Sequence, residues 1–243
     1  MSRFYAPKEN VKNNLIYIDG CEARHILNVM RLVKDDKVVV FDGTGREYTG
    51  FVKKIKAKSL IVEIVSKKTP KPEALPEITL AQALPKKGKM DYIVEKATEL
   101  GVRSVAPILS ERTVVKIKSE KMSEKTARWR KIARETAKQC GRTDIPEIKE
   151  PEKFYNAIDI VNEFDMALMA CLTDDTIDLK SAISDFEAGK IIVFIGPEGD
   201  FTPEEIKMAA NTNCKLISLG QRVLKSDTAG LFTLSVLNHE FSR

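Results

Sequence analysis

The chain has 243 residues, 43% of them hydrophobic and 31% charged, with a net charge of +5; this ordinary globular composition excludes a disordered chain, a collagen-like repeat and a disulfide-stapled mini-protein. At about 150 residues per domain the length suits one large domain or two small ones. The longest apolar runs, Ala167 to Leu172 and Ile191 to Ile195, fall far short of the roughly 20 residues of a membrane helix, and the polar start from Met1 to Asn10 lacks an apolar export signal, so a cytoplasmic protein is expected.

Up to about residue 72 the pattern is short β-type runs: Leu15 to Ile18, Lys37 to Phe41, Glu47 to Lys56 and Leu60 to Val65. Asp19-Gly20, Asp42-Gly43 and Gly45 supply turns, and one helix, about Glu22 to Met30, interrupts the series. Short strands at this spacing predict a small barrel. The segment Lys67 to Pro76 carries Pro70, Pro72 and Pro76 and predicts an extended connector. The domains expected are therefore 1–72 and 73–243.

After the connector, strands alternate with helices. Ile78 to Leu84 reads as a strand. Met90, Ile93, Val94, Ala97 and Leu100 then fall on one face of a helix that Gly101 ends. Val102 to Leu109 is a strand and Ser119 to Cys140 a long charged helix, whose Trp129 is expected to anchor it to the core, the other reading being a platform that stacks a base. Met166 to Leu172, Ile191 to Ile195 and Lys215 to Leu219 are strands, with a helix over Leu179 to Phe186. Thr202-Pro203-Glu204-Glu205 is a capping box with proline at the first helical position. Ser226 to Phe241 closes the chain as a helix. This alternation predicts an α/β domain with a mainly parallel sheet.

Charge is placed unevenly. Residues 1–75 carry 15 Lys and Arg against 9 Asp and Glu, residues 76–150 carry 17 against 11, and residues 151–243 carry 8 against 15. A basic first part attracts polyanions, nucleic acid foremost, although lysine runs such as Lys53 to Lys58 and Lys67 to Lys71 also serve simple solvation. Cys21, Cys140, Cys171 and Cys214 form no Cys-x-x-Cys pair, and His25 and His239 lie far apart, so reduced thiols and no bound metal are expected. His25 sits among Ile26, Val29 and Met30 as a packing residue.

Two glycine-bearing loops follow buried strands. One is Ile195-Gly196-Pro197-Glu198-Gly199-Asp200-Phe201; the other runs Leu219-Gly220-Gln221-Arg222-Val223-Leu224-Lys225-Ser226-Asp227-Thr228-Ala229. Such loops sit at the carboxyl ends of strands, where open α/β sheets bind ligands, and glycine lets a ligand approach the backbone. The chain has no phosphate-loop motif, no dinucleotide fingerprint and no nucleophile elbow.

Those two loops, together with Glu111-Arg112, Gln139-Cys140-Gly141-Arg142, and His25 with Val29 to Arg31, resemble the RsmE family, the bacterial 16S ribosomal RNA uridine-N3 methyltransferases of the SPOUT superfamily. The match runs in order through nearly the whole chain. The resemblance implies an N-terminal PUA-like RNA-binding β-barrel, a C-terminal SPOUT α/β domain with a deep trefoil knot, a homodimer, and S-adenosylmethionine as methyl donor. The substrate it implies is one uridine of the small (30S) subunit RNA, position 1498 in the usual RNA numbering. The cofactor would be held by Ala170, Cys171 and Leu172, by Ile195, Gly196, Pro197, Glu198 and Gly199, and by Leu219, Gly220, Gln221, Arg222, Val223 and Leu224. The family's first loop usually continues with a second glycine where this chain has Asp200, and its second usually carries Arg and Glu where this chain has Lys225 and Asp227.

Methylating N3 requires that its proton leave and that negative charge on the uracil be stabilised. Arg112 and Arg222 are the candidate cations, and Glu198 and Asp227 the candidate proton acceptors. Arg3, Arg24, Arg31, Arg142 and Lys225 are candidate RNA contacts. Other readings are a related methyltransferase acting on a ribose 2′-hydroxyl or a tRNA base, and a non-catalytic RNA-binding factor.

Overall fold

The computed structural model describes residues 3–69, 76–86, 88–115 and 119–242; most of the proline-rich connector, residues 70–75, lies outside them. The chain divides into two compact units, one of residues 1–72 with 134–145 and one of residues 73–133 with 146–243.

The first unit is built on a six-stranded sheet. Its strands are β1 (Arg3–Tyr5), β2 (Val11–Lys12), β3 (Leu15–Ile18), β4 (Lys37–Phe41), β5 (Glu47–Lys56) and β6 (Ser59–Lys68), in the order β1-β4-β5-β6-β3-β2. Only the β1–β4 pair is parallel. Asn13 and Asn14 both take left-handed backbone, φ 47° and 62°, as a two-residue turn between β2 and β3 requires. Alternating side chains from the strands, among them Phe4, Ile16, Val38, Val40, Leu60 and Val62, meet in one core. The helix expected over about Glu22 to Met30 is present: α1 (Gly20–Arg24) continues as a π-helical segment over His25–Val29, and Arg31 follows at φ 53°. His25 packs edge-on to Phe4 at 6.1 Å between ring centres.

The second unit is a parallel sheet with helices. Its strands are β7 (Glu77–Ala83), β8 (Ser104–Leu109), β9 (Glu147–Ile148), β10 (Glu152–Lys153), β11 (Met166–Ala170), β12 (Ile177–Asp178), β13 (Lys190–Ile195) and β14 (Cys214–Ser218). The order is β10-β8-β7-β13-β11-β14-β12, with β9 also on β8, and every pair is parallel. The central strands β7, β11 and β13 are buried nearly throughout, which is why they read as continuous apolar runs.

The helices are α2 (Lys89–Glu99), α3 (Ser119–Cys140), α4 (Phe154–Asp159), α5 (Leu179–Ile183), α6 (Pro203–Asn211) and α7 (Ser226–Phe241); α3 counts with the first unit from Arg134 onward. Gly101, at φ 81°, follows α2 as expected. The capping box of α6 is complete: Thr202 Oγ1 accepts from Glu205 N and Glu205 Oε2 accepts from Thr202 N. Trp129 is buried and donates to Asp91 Oδ1 on α2 at 3.1 Å. Helix α7 packs on α2, β7 and β13.

Candidate active site

Strands β13, β11 and β14 are neighbours and point the same way, so their carboxyl ends present three loops side by side. These loops and the start of α7 enclose a cavity of about 260 Å³. Of the residues expected to hold a cofactor, Ala170, Cys171, Leu172, Ile195, Gly196, Pro197, Glu198, Leu219, Gly220, Arg222, Val223 and Leu224 line it. Gly199 and Gln221 do not, while Asp200, Ile217, Ser218, Lys225, Ser226 and Ala229 do. Leu172 and Val223 are 65% and 75% exposed, which leaves apolar surface open to a ligand.

Asp200 explains how the first loop works without a second glycine. Its backbone is left-handed, φ 59°, a conformation Asp tolerates better than most residues. Its carboxylate accepts from Phe201 N at 2.8 Å and from Leu172 N at 2.9 Å. The side chain thus ties the loop after β13 to the loop after β11.

Arg112 Nη1 donates to the carbonyls of Gly199 at 2.8 Å and Phe201 at 3.1 Å. This fixes the same loop from outside the cavity lining. Glu111 N reaches Glu205 Oε1 at 2.9 Å, so the buried carboxylate of the capping box also anchors the strand-end segment after β8. Glu198 lines the cavity, and its Oε1 accepts from Lys86 N at 3.0 Å. Arg222 is exposed on the rim.

Asp227, in the first turn of α7, pairs with Lys89 Nζ at 2.9 Å, the two side chains being 19% and 34% exposed. Burial pushes its carboxyl up, but the Lys89 ammonium and the helix amides outweigh this and hold it below its ordinary value. A carboxylate held this way is a poor proton acceptor. Burial raises the thiol of Cys171, and it raises that of Cys214 to about 12, so neither is a ready nucleophile.

Sequence patterns alone miss Gln82. It is fully buried at the carboxyl end of β7, and its Nε2 donates to Ser226 Oγ at 2.9 Å. Ser226 in turn donates to the carbonyl of Gly196. One relay therefore joins β7, α7 and the cavity wall. Its only sequence signal is an amide inside an apolar strand, where a buried polar group needs partners. Lys89 is missed for the opposite reason: a lysine at a helix start reads as solvation.

The cations expected at RNA divide. Arg24 and Arg31 are exposed, and Lys225 lies on the cavity rim. Arg3 is 13% exposed, bonds Glu47 Oε2 at 3.0 Å and Ala137 O at 3.2 Å, and stacks 4.4 Å from the Phe41 ring centre. Arg142 is similarly enclosed and paired with Asp144. Their geometry uses these two guanidinium groups to hold the first unit together. Among the described residues no His, Cys, Asp and Glu side chains cluster to hold a metal, and no helix is long and apolar enough to cross a membrane.

A family profile for the RNA methyltransferase domain matches residues 71–238, and one for the RNA methyltransferase PUA domain matches residues 18–65. The ribosomal RNA small subunit methyltransferase E of Aquifex aeolicus is 32% identical, covering 98% of this chain and 99% of that one. That of Bacillus subtilis is 30% identical over 92% and 89%. Among solved structures, a putative methyltransferase from Legionella pneumophila with bound S-adenosylmethionine superposes with a TM-score of 0.86 at 31% identity, covering 98% of this chain and 97% of that one. The Neisseria gonorrhoeae ribosomal RNA small subunit methyltransferase E bound to S-adenosylmethionine gives 0.85 at 27%, over 99% and 98%.

Proposed function

The chain belongs to the ribosomal RNA small subunit methyltransferase E family, and from that premise we propose that it methylates N3 of uridine 1498 in 16S ribosomal RNA with S-adenosylmethionine as donor. The observation that carries the reading is the cavity enclosed by the strand-end loops 170–172, 195–200 and 217–225.

The residues fit that cofactor. Ile195, Ile217, Leu219 and Leu224 offer apolar walls, strand-end backbone offers hydrogen bonds, and Glu198 and Asp200 supply negative charge suited to a sulfonium. Gly220, at φ 110°, has open space where a Cβ would stand, so its backbone is clear for a ligand. When bound, S-adenosylmethionine supplies a methyl carbon activated by its positive sulfur.

The chain's own groups then manage the uracil. Arg222, free on the rim, stabilises the charge that develops on the uracil oxygens when N3 loses its proton. Arg112 supports this by fixing the Gly199–Phe201 carbonyls. Glu198 keeps Oε2 available to take the N3 proton, its other oxygen being oriented by Lys86 N. Asp227 serves as the counter-ion of Lys89. Residues 1–72 act as the RNA-binding domain and 73–243 as the methyl-transfer domain, with Arg24, Arg31 and Lys225 on RNA.

The return of α7 from β14 to β7 and β13, with Ser226 bonded to Gly196, supports reading residues 219–225 as the threaded segment of a deep trefoil knot. Exposed Phe232 supports a homodimer, and a ribosomal substrate supports a cytoplasmic location.

The test is nucleoside analysis of small-subunit RNA from cells lacking this activity, treated with the protein and labelled S-adenosylmethionine. Label in 3-methyluridine at that position is expected. Label in a 2′-O-methyl nucleoside or in tRNA, or no label on free RNA or assembled subunits, overturns the proposal.

A further inference from the structure

The first unit contains a second cavity, of about 330 Å³, lined by Lys8, Val11, Asn14, Arg46, Tyr48, Ile64 and Lys67. Its three cations come from separate stretches of chain: a single turn after β1, the residue before β5, and the end of β6. Tyr48 and Lys67 are direct cross-strand partners, which sets one wall. Asn14, in left-handed backbone, sets another by donating Nδ2 to Ile64 O at 2.7 Å.

No carboxylate lines the cavity. The acids nearest in sequence are already engaged or stand outside. Glu47, beside Arg46, is held by Arg3. Asp42 is buried and satisfied by neutral donors, Thr44 N at 2.9 Å, Thr44 Oγ1 at 2.7 Å and Tyr48 Oη at 3.1 Å. Glu9 is exposed and does not line the cavity. Among the described residues Lys8, Arg46 and Lys67 form no ion pair. The three lining cations outnumber the carboxylate of Asp42 that lies behind the Tyr48 hydroxyl, and an anion placed among them is favoured.

We propose that this cavity is a phosphate subsite that takes a phosphodiester of the RNA backbone, positioning the substrate without reading its sequence. The apolar floor of Val11 and Ile64 offers no pattern of donors and acceptors to distinguish bases, so the contact is with the charged backbone. The inference rests on the methyltransferase reading for its ligand, but a different observable tests it.

The experiment is anisotropy of a fluorescein-labelled single-stranded fragment of small-subunit RNA on the full chain, repeated over a range of salt. Each phosphate contact to a single strand contributes about 0.7 to the slope of log affinity against log salt. Lys8→Ala with Lys67→Ala and Arg46→Ala should lower the slope by about 0.7 in total, the share of the one phosphodiester the cavity takes. Cofactor affinity by calorimetry should stay unchanged. Replacing Lys54, Lys56 and Lys58 by alanine makes the same charge change elsewhere on the unit and should leave the slope within about 0.2 of the parent.

An unchanged slope in the cavity variants, or an equal fall in the control, overturns the proposal. Saturable binding of inorganic phosphate lost in the variants while the RNA slope holds assigns the cavity to a free anion and also overturns it. A pocket-dependent slope in a protein that forms no 3-methyluridine separates this inference from the function, since the first stands while the second fails.

Discussion

In the first unit the cations assigned to RNA stand at the surface, Arg24 and Arg31 exposed and Lys8 and Lys67 without carboxylate partners. In the second, the groups that shape the cofactor cavity are buried and bonded, Gln82 to Ser226, Ser226 to Gly196, and Glu205 to Thr202 and Glu111. The difference follows from the ligands. A flexible polyanion is gathered by solvated charge over a broad face, whereas a small charged molecule needs a cavity whose walls do not move. Substitutions should accordingly act through salt-sensitive affinity in one unit and through turnover or cofactor affinity in the other.

Arg222→Ala should lower turnover by about 100-fold, more than it weakens cofactor binding, as for loss of a donor to developing charge; single-turnover kinetics with calorimetry check it. Next is Gln82→Leu. Removing the amide takes away the bond Ser226 Oγ accepts while its bond to Gly196 O remains, and should cost about 1 kcal/mol in denaturant unfolding, with weaker cofactor binding because the Gly196 wall loosens.

Arg24→Ala and Arg31→Ala act in the first unit. Each should reduce the salt slope of RNA binding by about 0.7, and neither should change cofactor affinity. The smallest effect concerns acid stability. The folded carboxyl of Asp227 lies below its ordinary value of 3.8, so its pair with Lys89 stabilises at neutral pH. That contribution fades as pH falls from 3.8 through the lower folded value. Both side chains being partly exposed, it amounts to less than about 1 kcal/mol. Asp227→Asn should flatten that part of the stability profile in acid unfolding.

Regular elements were legible in the sequence because burial periodicity dictates them. The run Ile191 to Ile195, the capping box at Thr202 and the apolar face from Met90 to Leu100 all appear where expected. Strands β9, β10 and β12 were not, since each has two residues and exists only through its partner strand. The helix over about Glu22 to Met30 is legible, but its π-helical half, His25–Val29, is not, since the apolar spacing of Ile26, Val29 and Met30 does not distinguish a widened turn.

The loops of the site were legible, but the cross-links between them were not. Asp200 takes a left-handed backbone and bridges two loops through Leu172. Asp227 pairs with Lys89. Arg3 pairs with Glu47 inside its unit. In each case the partner lies tens of residues away in sequence, where local pattern carries no information.

The cavity at the ends of β11, β13 and β14 is the proposed seat of S-adenosylmethionine. Calorimetric titration of the cofactor into the full chain and into Ala229→Trp, whose indole would fill that space from α7, probes it. One cofactor bound per parent chain is expected, with no binding heat in a variant that still unfolds cooperatively. Equal binding by the two proteins, or none by the parent, would overturn the assignment.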